Sequence, residues 1–215
     1  MPHHKPASAK TLATGQVRII GGDARGRKLQ VLDQPGLRPT SDRVRETLFN
    51  WLQFDIAGTR CLDAYAGSGA LGFEALSRGA ASVTLLEKSP QVANCLQNNL
   101  NQWQQAGLVS PDSRVIITDT LKWLQTQPAS TPNEPFKTYK PYDIIFLDPP
   151  FMQDLLAKTL DLLIHSNWIH ADTWLYLEHE KGQTWPALPA NWHCHREKTT
   201  AQVAFSLWRQ QRASD

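Results

Sequence analysis

The sequence predicts an α/β fold: a doubly wound, mostly parallel sheet that ends in an antiparallel C-terminal edge hairpin, preceded by a small N-terminal β-hairpin and helix. Three observations predict it. Strand-like and helix-like stretches alternate at regular spacing from residue 59 onward, the pattern of parallel strands joined by helical crossovers. A glycine-rich turn, Asp63-Ala64-Tyr65-Ala66-Gly67-Ser68-Gly69, directly follows the first of those strands. At the other end, residues 193–198 and 202–209 are strand-like runs separated only by a short turn, so they pair antiparallel.

Each element has a local reason. Residues 1–15 are small, polar and basic with nothing to bury, and read as a disordered tail. Residues 17–20 and 28–32 are short strands flanking Gly21-Gly22-Asp23-Ala24-Arg25-Gly26, a turn sequence, so they form a hairpin. Ser41 caps a helix in which Asp42 suits the first turn and Val44, Leu48, Trp51 and Leu52 share a face. Together, residues 16–52 read as a basic extension and residues 53–215 as the main domain.

The alternation then runs strand 59–63, helix 70–78 stopped by Gly79, and strand 82–87. Ser89 caps the next helix and Pro90 occupies its first turn, carrying it to about residue 105. Strand 114–119, helix 120–127, strand 142–148, helix 155–164 and strand 174–178 follow. The proline-rich residues 128–141 read as a surface loop without an assigned role.

Composition narrows the function. A chain of 215 residues supports one sizeable core plus an appendage. The formal net charge of +2 hides an asymmetry: residues 1–50 hold nine Lys/Arg against four Asp/Glu, or +5, leaving −3 for the remainder. A basic arm on a mildly acidic body suits a protein that grips a polyanion with one part and does chemistry with another. The three separated cysteines, Cys61, Cys95 and Cys194, argue for a reducing compartment and read as packing residues. No apolar run approaches bilayer length and no signal-peptide core follows Met1, so a soluble, cytoplasmic protein without membrane contact is expected.

The candidate chemistry sits in two motifs. Asp148-Pro149-Pro150-Phe151 arrives at the end of an apolar strand and suits a planar amine. The Asp148 carboxylate accepts an N–H, the prolines fix a backbone carbonyl toward the same amine, and the Phe151 ring stacks on the base. Gly67-Ser68-Gly69-Ala70-Leu71-Gly72 satisfies the dinucleotide pattern G-x-G-x-x-G, and Glu87 lies 20 residues beyond Gly67, placed to accept from ribose hydroxyls. The neighbouring acids separate two cofactors. A pyrophosphate wants a free helix N-terminus, whereas the cationic S-adenosyl-L-methionine favours carboxylates such as Asp63 and Asp119 at the strand ends, and Asp148 lies on the same side. His193-Cys194-His195 lacks further ligands at metal spacing, and no metal is expected.

The chain resembles class I methyltransferases with a Rossmann-like sheet, and more closely the RsmD family of bacterial 16S rRNA guanine-N2 methyltransferases. The resemblance rests on Arg18-Ile19-Ile20-Gly21-Gly22, on Arg25-Gly26-Arg27-Lys28-Leu29, on the block from Arg38-Pro39-Thr40-Ser41-Asp42 to Leu52, and on the two motifs above. It covers nearly everything from Gln16 to Arg209, departing in the length of the 128–141 loop and in the N-terminal tail. What it implies is methyl transfer from S-adenosyl-L-methionine, leaving S-adenosyl-L-homocysteine, to the exocyclic N2 of one guanine of 16S rRNA within the small ribosomal subunit or its assembly intermediate.

Under that reading Asp148, Pro149, Pro150 and Phe151 are catalytic, and Asp63, Tyr65, Gly67, Gly69, Glu87, Asp119 and Thr40 bind the cofactor. Arg18, Arg25, Arg27, Lys28, Arg38, Arg43 and Arg45 form an rRNA grip, and a monomer is expected. Asp-Pro-Pro-Phe by itself also resembles adenine-N6 and protein glutamine methyltransferases, and an RNA-binding assembly factor without turnover is the third reading.

Overall fold

The computed structural model describes residues 14–32, 40–126, 140–151 and 154–210. The predicted tail, the 128–141 loop and Arg38 lie largely or wholly outside these residues.

The hairpin pairs β1 (Thr14–Arg18) antiparallel with β2 (Lys28–Leu32). Its first strand starts and ends earlier than its apolar run suggests, and Ile19 still bonds across the hairpin beyond it, its N–H to the Arg27 carbonyl and its carbonyl to the Gly26 N–H, both at 2.9 Å. α1 (Asp42–Trp51) begins where Ser41 accepts from the Val44 N–H at 3.3 Å, as its cap sequence predicts.

The main sheet holds β3 (Arg60–Asp63), β4 (Ser82–Glu87), β5 (Arg114–Ile117), β6 (Tyr142–Leu147), β7 (Ile169–Glu180), β8 (Trp192–Thr199) and β9 (Val203–Gln210) in the order β5-β4-β3-β6-β7-β9-β8. The first five of these run parallel, and β9 and β8 close the edge antiparallel, as the sequence predicts. β7 extends well beyond the predicted 174–178, because a register irregularity at Tyr142/Ile144 lets Ile169 join the ladder.

Helices cover both faces: α2 (Ala70–Ser77), α3 (Pro90–Gln105), α4 (Thr120–Gln125) and α5 (Leu155–Ile164). Alternate strand residues feed two buried clusters, Cys61, Ile144, Phe146 and Tyr176 on one face and Leu62, Ile145, Leu147 and Leu175 on the other. Hairpin residues Ile19 and Leu29 and α1 residues Leu48 and Phe49 belong to the first cluster, so the basic extension is packed onto the sheet domain as part of its core. A Cβ at Gly22, which has φ +72°, would stand 1.8 Å from the Ser77 carbonyl oxygen, so only glycine lets the hairpin approach α2.

One predicted RNA contact is corrected here. Arg45 is fully buried, bonded to Asp42 at 2.6 Å, to the Arg18 carbonyl at 2.9 Å and to Glu74 at 3.4 Å. Its charge holds the hairpin to α2 and is not available to a polyanion. The reading of the cysteines holds for Cys61 alone, since Cys95 is half-buried and Cys194 exposed. Among the described residues, no helix is long and apolar enough to cross a membrane.

Candidate active site

The sheet order reverses between β3 and β6, the point at which open α/β sheets leave a crevice beyond the carboxyl ends of their strands. A cavity of about 580 Å³ opens there. One wall is the loop after β3, the second is the Glu87–Ser89 turn with Asp119 and Thr120, and the third is Asp148–Phe151. The cavity brings together all the predicted catalytic residues and, with the exception of Gly69, all the predicted cofactor residues.

Gly69 stands just behind the wall. It starts α2 with φ +76°, and a Cβ there would lie 2.6 Å from Leu96 and 2.8 Å from Phe73. Its work is to let the loop turn and pack, while Gly67 presents backbone to the cavity. The Gly67 N–H donates to Glu87 Oε2 at 3.0 Å, and Glu87 Oε1 accepts from the Ser89 N–H at 2.7 Å. The carboxylate at the end of β4 is thereby fixed against the glycine loop, with its remaining lone pairs available to hydroxyl groups in the cavity.

Asp63 is buried at the end of β3 and accepts from the Gly72 N–H at 3.0 Å. Burial pushes its carboxyl up to about 7, against the lowering effect of that N–H, and the nearby Asp148 and Glu87 charges add to the rise. Asp119, read from sequence as the end of a strand, is the N-cap of α4, and Lys88 bonds it at 3.0 Å. That ammonium holds its carboxyl below the ordinary range. Half-buried Tyr65 lines the cavity with its ring, and its hydroxyl meets Thr159 of α5 at 2.5 Å. Since Thr159 itself donates to the Leu155 carbonyl, the phenol is the donor in that bond.

Asp148 follows the last residue of β6. Thr40, from the segment entering α1, donates its hydroxyl to Asp148 Oδ2 at 3.0 Å. Burial raises the Asp148 carboxyl to about 6, with the Thr40 bond opposing the rise. Asp148 does not cap the following helix: α5 begins at Leu155, and its N-cap is Asp154. Pro149 is buried, Pro150 exposed and Phe151 half-buried against the first core cluster with part of its ring facing the cavity. Carboxylate, fixed backbone and aromatic ring therefore line one cavity with the glycine loop of the neighbouring strand.

Sequence reasoning missed three residues at or beside the site. Lys88 neutralises Asp119. Thr120 donates to the Ala64 carbonyl and ties the glycine loop to α4. Glu178, buried near the end of β7, feels the Asp148 charge. The alternation Trp174, Tyr176, Glu178 was the available signal for the last, since an acid at the end of a buried strand face is unusual. Of the predicted basic grip, Arg18, Arg25, Arg27, Lys28 and Arg43 are exposed.

Residues 17–209 match the family described as Conserved hypothetical protein 95. The chain is 46% identical over 198 residues to the ribosomal RNA small subunit methyltransferase D of Escherichia coli K12, covering 92% of each chain. It is also 46% identical over 197 residues to the protein of the same name from Haemophilus influenzae, covering 91% of this chain and 95% of that one. The solved structure of yhhF from Escherichia coli superposes with a TM-score of 0.78 at 42% identity, covering 93% of this chain and 100% of that one.

Proposed function

We propose that this chain, which belongs to the Conserved hypothetical protein 95 family, the RsmD family of rRNA methyltransferases, methylates the exocyclic N2 of a guanine in 16S rRNA of the small ribosomal subunit. The methyl donor in this reading is S-adenosyl-L-methionine. The observation that carries the reading is the juxtaposition in one cavity of the Gly67–Glu87 pair with Asp148 as Thr40 orients it.

The residues present fit this donor. Glu87 offers acceptors for ribose hydroxyls, Tyr65 and Leu86 offer apolar surface to an adenine, and buried Asp63 and half-buried Asp148, both with raised carboxyls, gain from a nearby cation that offsets their cost of ionisation. S-adenosyl-L-methionine would supply the methyl group as a sulfonium-activated electrophile.

What the chain itself does is hold the amine. The guanine N2 lone pair is delocalised into the ring, and the amine is a poor nucleophile until it is gripped. Asp148 and the Pro149 carbonyl accept its two N–H bonds and turn the lone pair out of conjugation, while Phe151 stacks on the base. The acceleration comes from positioning and from a fixed negative charge where the amine becomes positive. A base held in a helical stack must first swing out, and the aromatic face offsets part of that cost. Exposed Arg18, Arg25, Arg27, Lys28 and Arg43 grip phosphates and place the particle, without reading sequence.

The deciding experiment is incubation with methyl-labelled S-adenosyl-L-methionine and small subunits lacking the modification, followed by nucleoside analysis of the 16S rRNA. Label in N2-methylguanosine is the expected outcome. Label in another nucleoside or in protein moves the substrate to an adenine or a glutamine, and cofactor binding without any label turns the chain into an assembly factor.

A further inference from the structure

Asp148 has a carboxylate neighbour. β6 and β7 run parallel with Phe146 opposite Tyr176 and Leu147 opposite Leu177, so one further step of that register sets Asp148 beside Glu178. The Phe146 and Tyr176 rings meet edge to face at 6.3 Å on one side of the sheet, and alternation brings the Asp148 and Glu178 side chains out on that same side. Glu178 is 4% exposed. The Tyr176 hydroxyl donates to its Oε2 at 2.6 Å, and across the strand pair it faces Phe205 of β9, whose ring packs on Trp51 of α1.

Among the described residues, the ionisable groups that act on Glu178 are Asp148 and Tyr176, and neither brings a positive charge. Asp63 is the third carboxylate that feels Asp148, from β3. His179, next along β7, packs its ring against Trp185.

Two carboxylates side by side in a buried setting with no cation between them do not both ionise near neutral pH. We propose, building on the function proposed above, that Glu178 is a positioning residue for Asp148: it carries the single proton the pair shares, so that Asp148 meets the substrate as the anion. The more buried member of the pair keeps the proton, while Asp148 opens to the cavity and takes the Thr40 hydroxyl bond, which favours its charged form. Burial and the Asp148 charge raise the Glu178 carboxyl to about 8, above Asp148 at about 6, which agrees with that division.

The division matters for the proton balance. As N2 forms its bond to the methyl carbon, the sulfur keeps the electron pair of the bond it loses and the amine nitrogen is left with one hydrogen too many. That N–H bond breaks with its pair returning to nitrogen, and Asp148, entering as the anion, takes the proton and releases it through the open cavity before the next turnover. A second anion at Glu178 would drive the two side chains apart and move Asp148 off the position Thr40 sets.

The test combines carboxyl-carbon NMR titration of the free protein with the pH profile of single-turnover methyl transfer to small subunits. Glu178 is expected to titrate about one pH unit or more lower in Asp148→Asn than in the wild type. The wild-type rate falls on the alkaline side as the shared proton leaves, and Glu178→Gln loses that alkaline limb. Should Glu178→Gln not fold, Tyr176→Phe, which removes the donor to Oε2, moves the Glu178 titration upward instead. A Glu178 titration unmoved by Asp148→Asn, or an alkaline limb that survives Glu178→Gln, overturns the proposal. The NMR arm requires neither methyl donor nor RNA, so a wrong substrate assignment shows as missing label, separately from the behaviour of the pair.

Discussion

Thr40 and Asp148 lie 108 residues apart in sequence and are joined by a hydrogen bond of 3.0 Å at the wall of the cavity. The segment leading into α1 thus orients the carboxylate at the end of β6, and the basic extension completes the site. A bond to a charged acceptor is worth about 1.5–3 kcal/mol. Thr40→Val should therefore lower turnover about 10- to 100-fold, with Thr40→Ser restoring most of it. Asp148→Ala should cost about 10²–10³ in turnover, by analogy with removal of one preorganised polar group. In both variants the cofactor dissociation constant should move much less than the rate, and isothermal titration beside single-turnover kinetics separates the two. Near-normal turnover in Asp148→Ala would sink the assignment.

Glu74 is the other point where the extension is fastened. Fully buried, it accepts from the Ile20 and Gly21 N–H groups at 3.0 and 2.8 Å and pairs with Arg45 at 3.4 Å and Arg78 at 2.8 Å. Removing it leaves the Arg45 guanidinium buried and short of its partner. Glu74→Ala should destabilise the fold by about 3–5 kcal/mol, read as a lower urea midpoint. A change below about 1 kcal/mol would mean that Asp42 and the Arg18 carbonyl alone satisfy the Arg45 guanidinium.

How much of this was legible in the sequence depends on how local each cause is. Ser41 and Ser89-Pro90 announce helix starts because the capping bond spans three residues, and both caps form as read. The cofactor loop and Asp-Pro-Pro-Phe were legible because backbone approach and amine capture need particular residue types at strand ends. Arg45 misled because two of its three partners, the Arg18 carbonyl and Glu74, lie 27 and 29 residues away. The helical periodicity did contain the warning: Arg45 stands three residues before Leu48 and seven before Leu52, on the stripe that α1 buries. The motif makes Gly69 look like a ligand contact, since it does not distinguish a glycine that faces the cavity from one that lets the loop pack against Leu96.

That packing gives a third prediction. Gly69→Ala places a Cβ within 3 Å of Leu96 and Phe73 at a left-handed backbone position. The strain should cost about 1–3 kcal/mol. Because Gly67 is two residues away, cofactor affinity should fall with the melting temperature. Gly69→Ala with wild-type stability would show that the loop tolerates a side chain there.

The buried acids set an unusual pH response. Asp63, Asp148 and Glu178 are raised to about 7, 6 and 8, so between their ordinary values and these the folded protein binds more protons than the unfolded chain. Their contribution to stability is fully present below the ordinary carboxyl range and is lost as pH rises through about 6 to 8. For Asp63 alone this is on the order of 4 kcal/mol, lost between its ordinary value and about 7. The melting temperature of the free protein should therefore fall from pH 5.5 to 8.5. S-adenosyl-L-methionine, cationic at sulfur, should raise it more at the upper end of that range, and neutral-sulfur S-adenosyl-L-homocysteine less. A melting temperature that climbs with pH in the free protein contradicts the burial of these charges.

The hairpin separates charge that grips from charge that holds. Arg25, Arg27 and Lys28 are exposed at and just after the turn, while Arg45 is sealed beneath it. If the exposed group neutralises phosphates, replacing all three with Glu should weaken rRNA binding across sequences and reduce the slope of log affinity against log salt by about 2–3, since each released counterion contributes a little less than one. Stability should stay within about 0.5 kcal/mol of wild type, as expected for surface substitutions. Arg45→Ala should do the reverse, lowering the urea midpoint while leaving the salt slope of the remaining folded protein in place. A triple reversal that leaves both affinity and slope unchanged places the RNA on another surface.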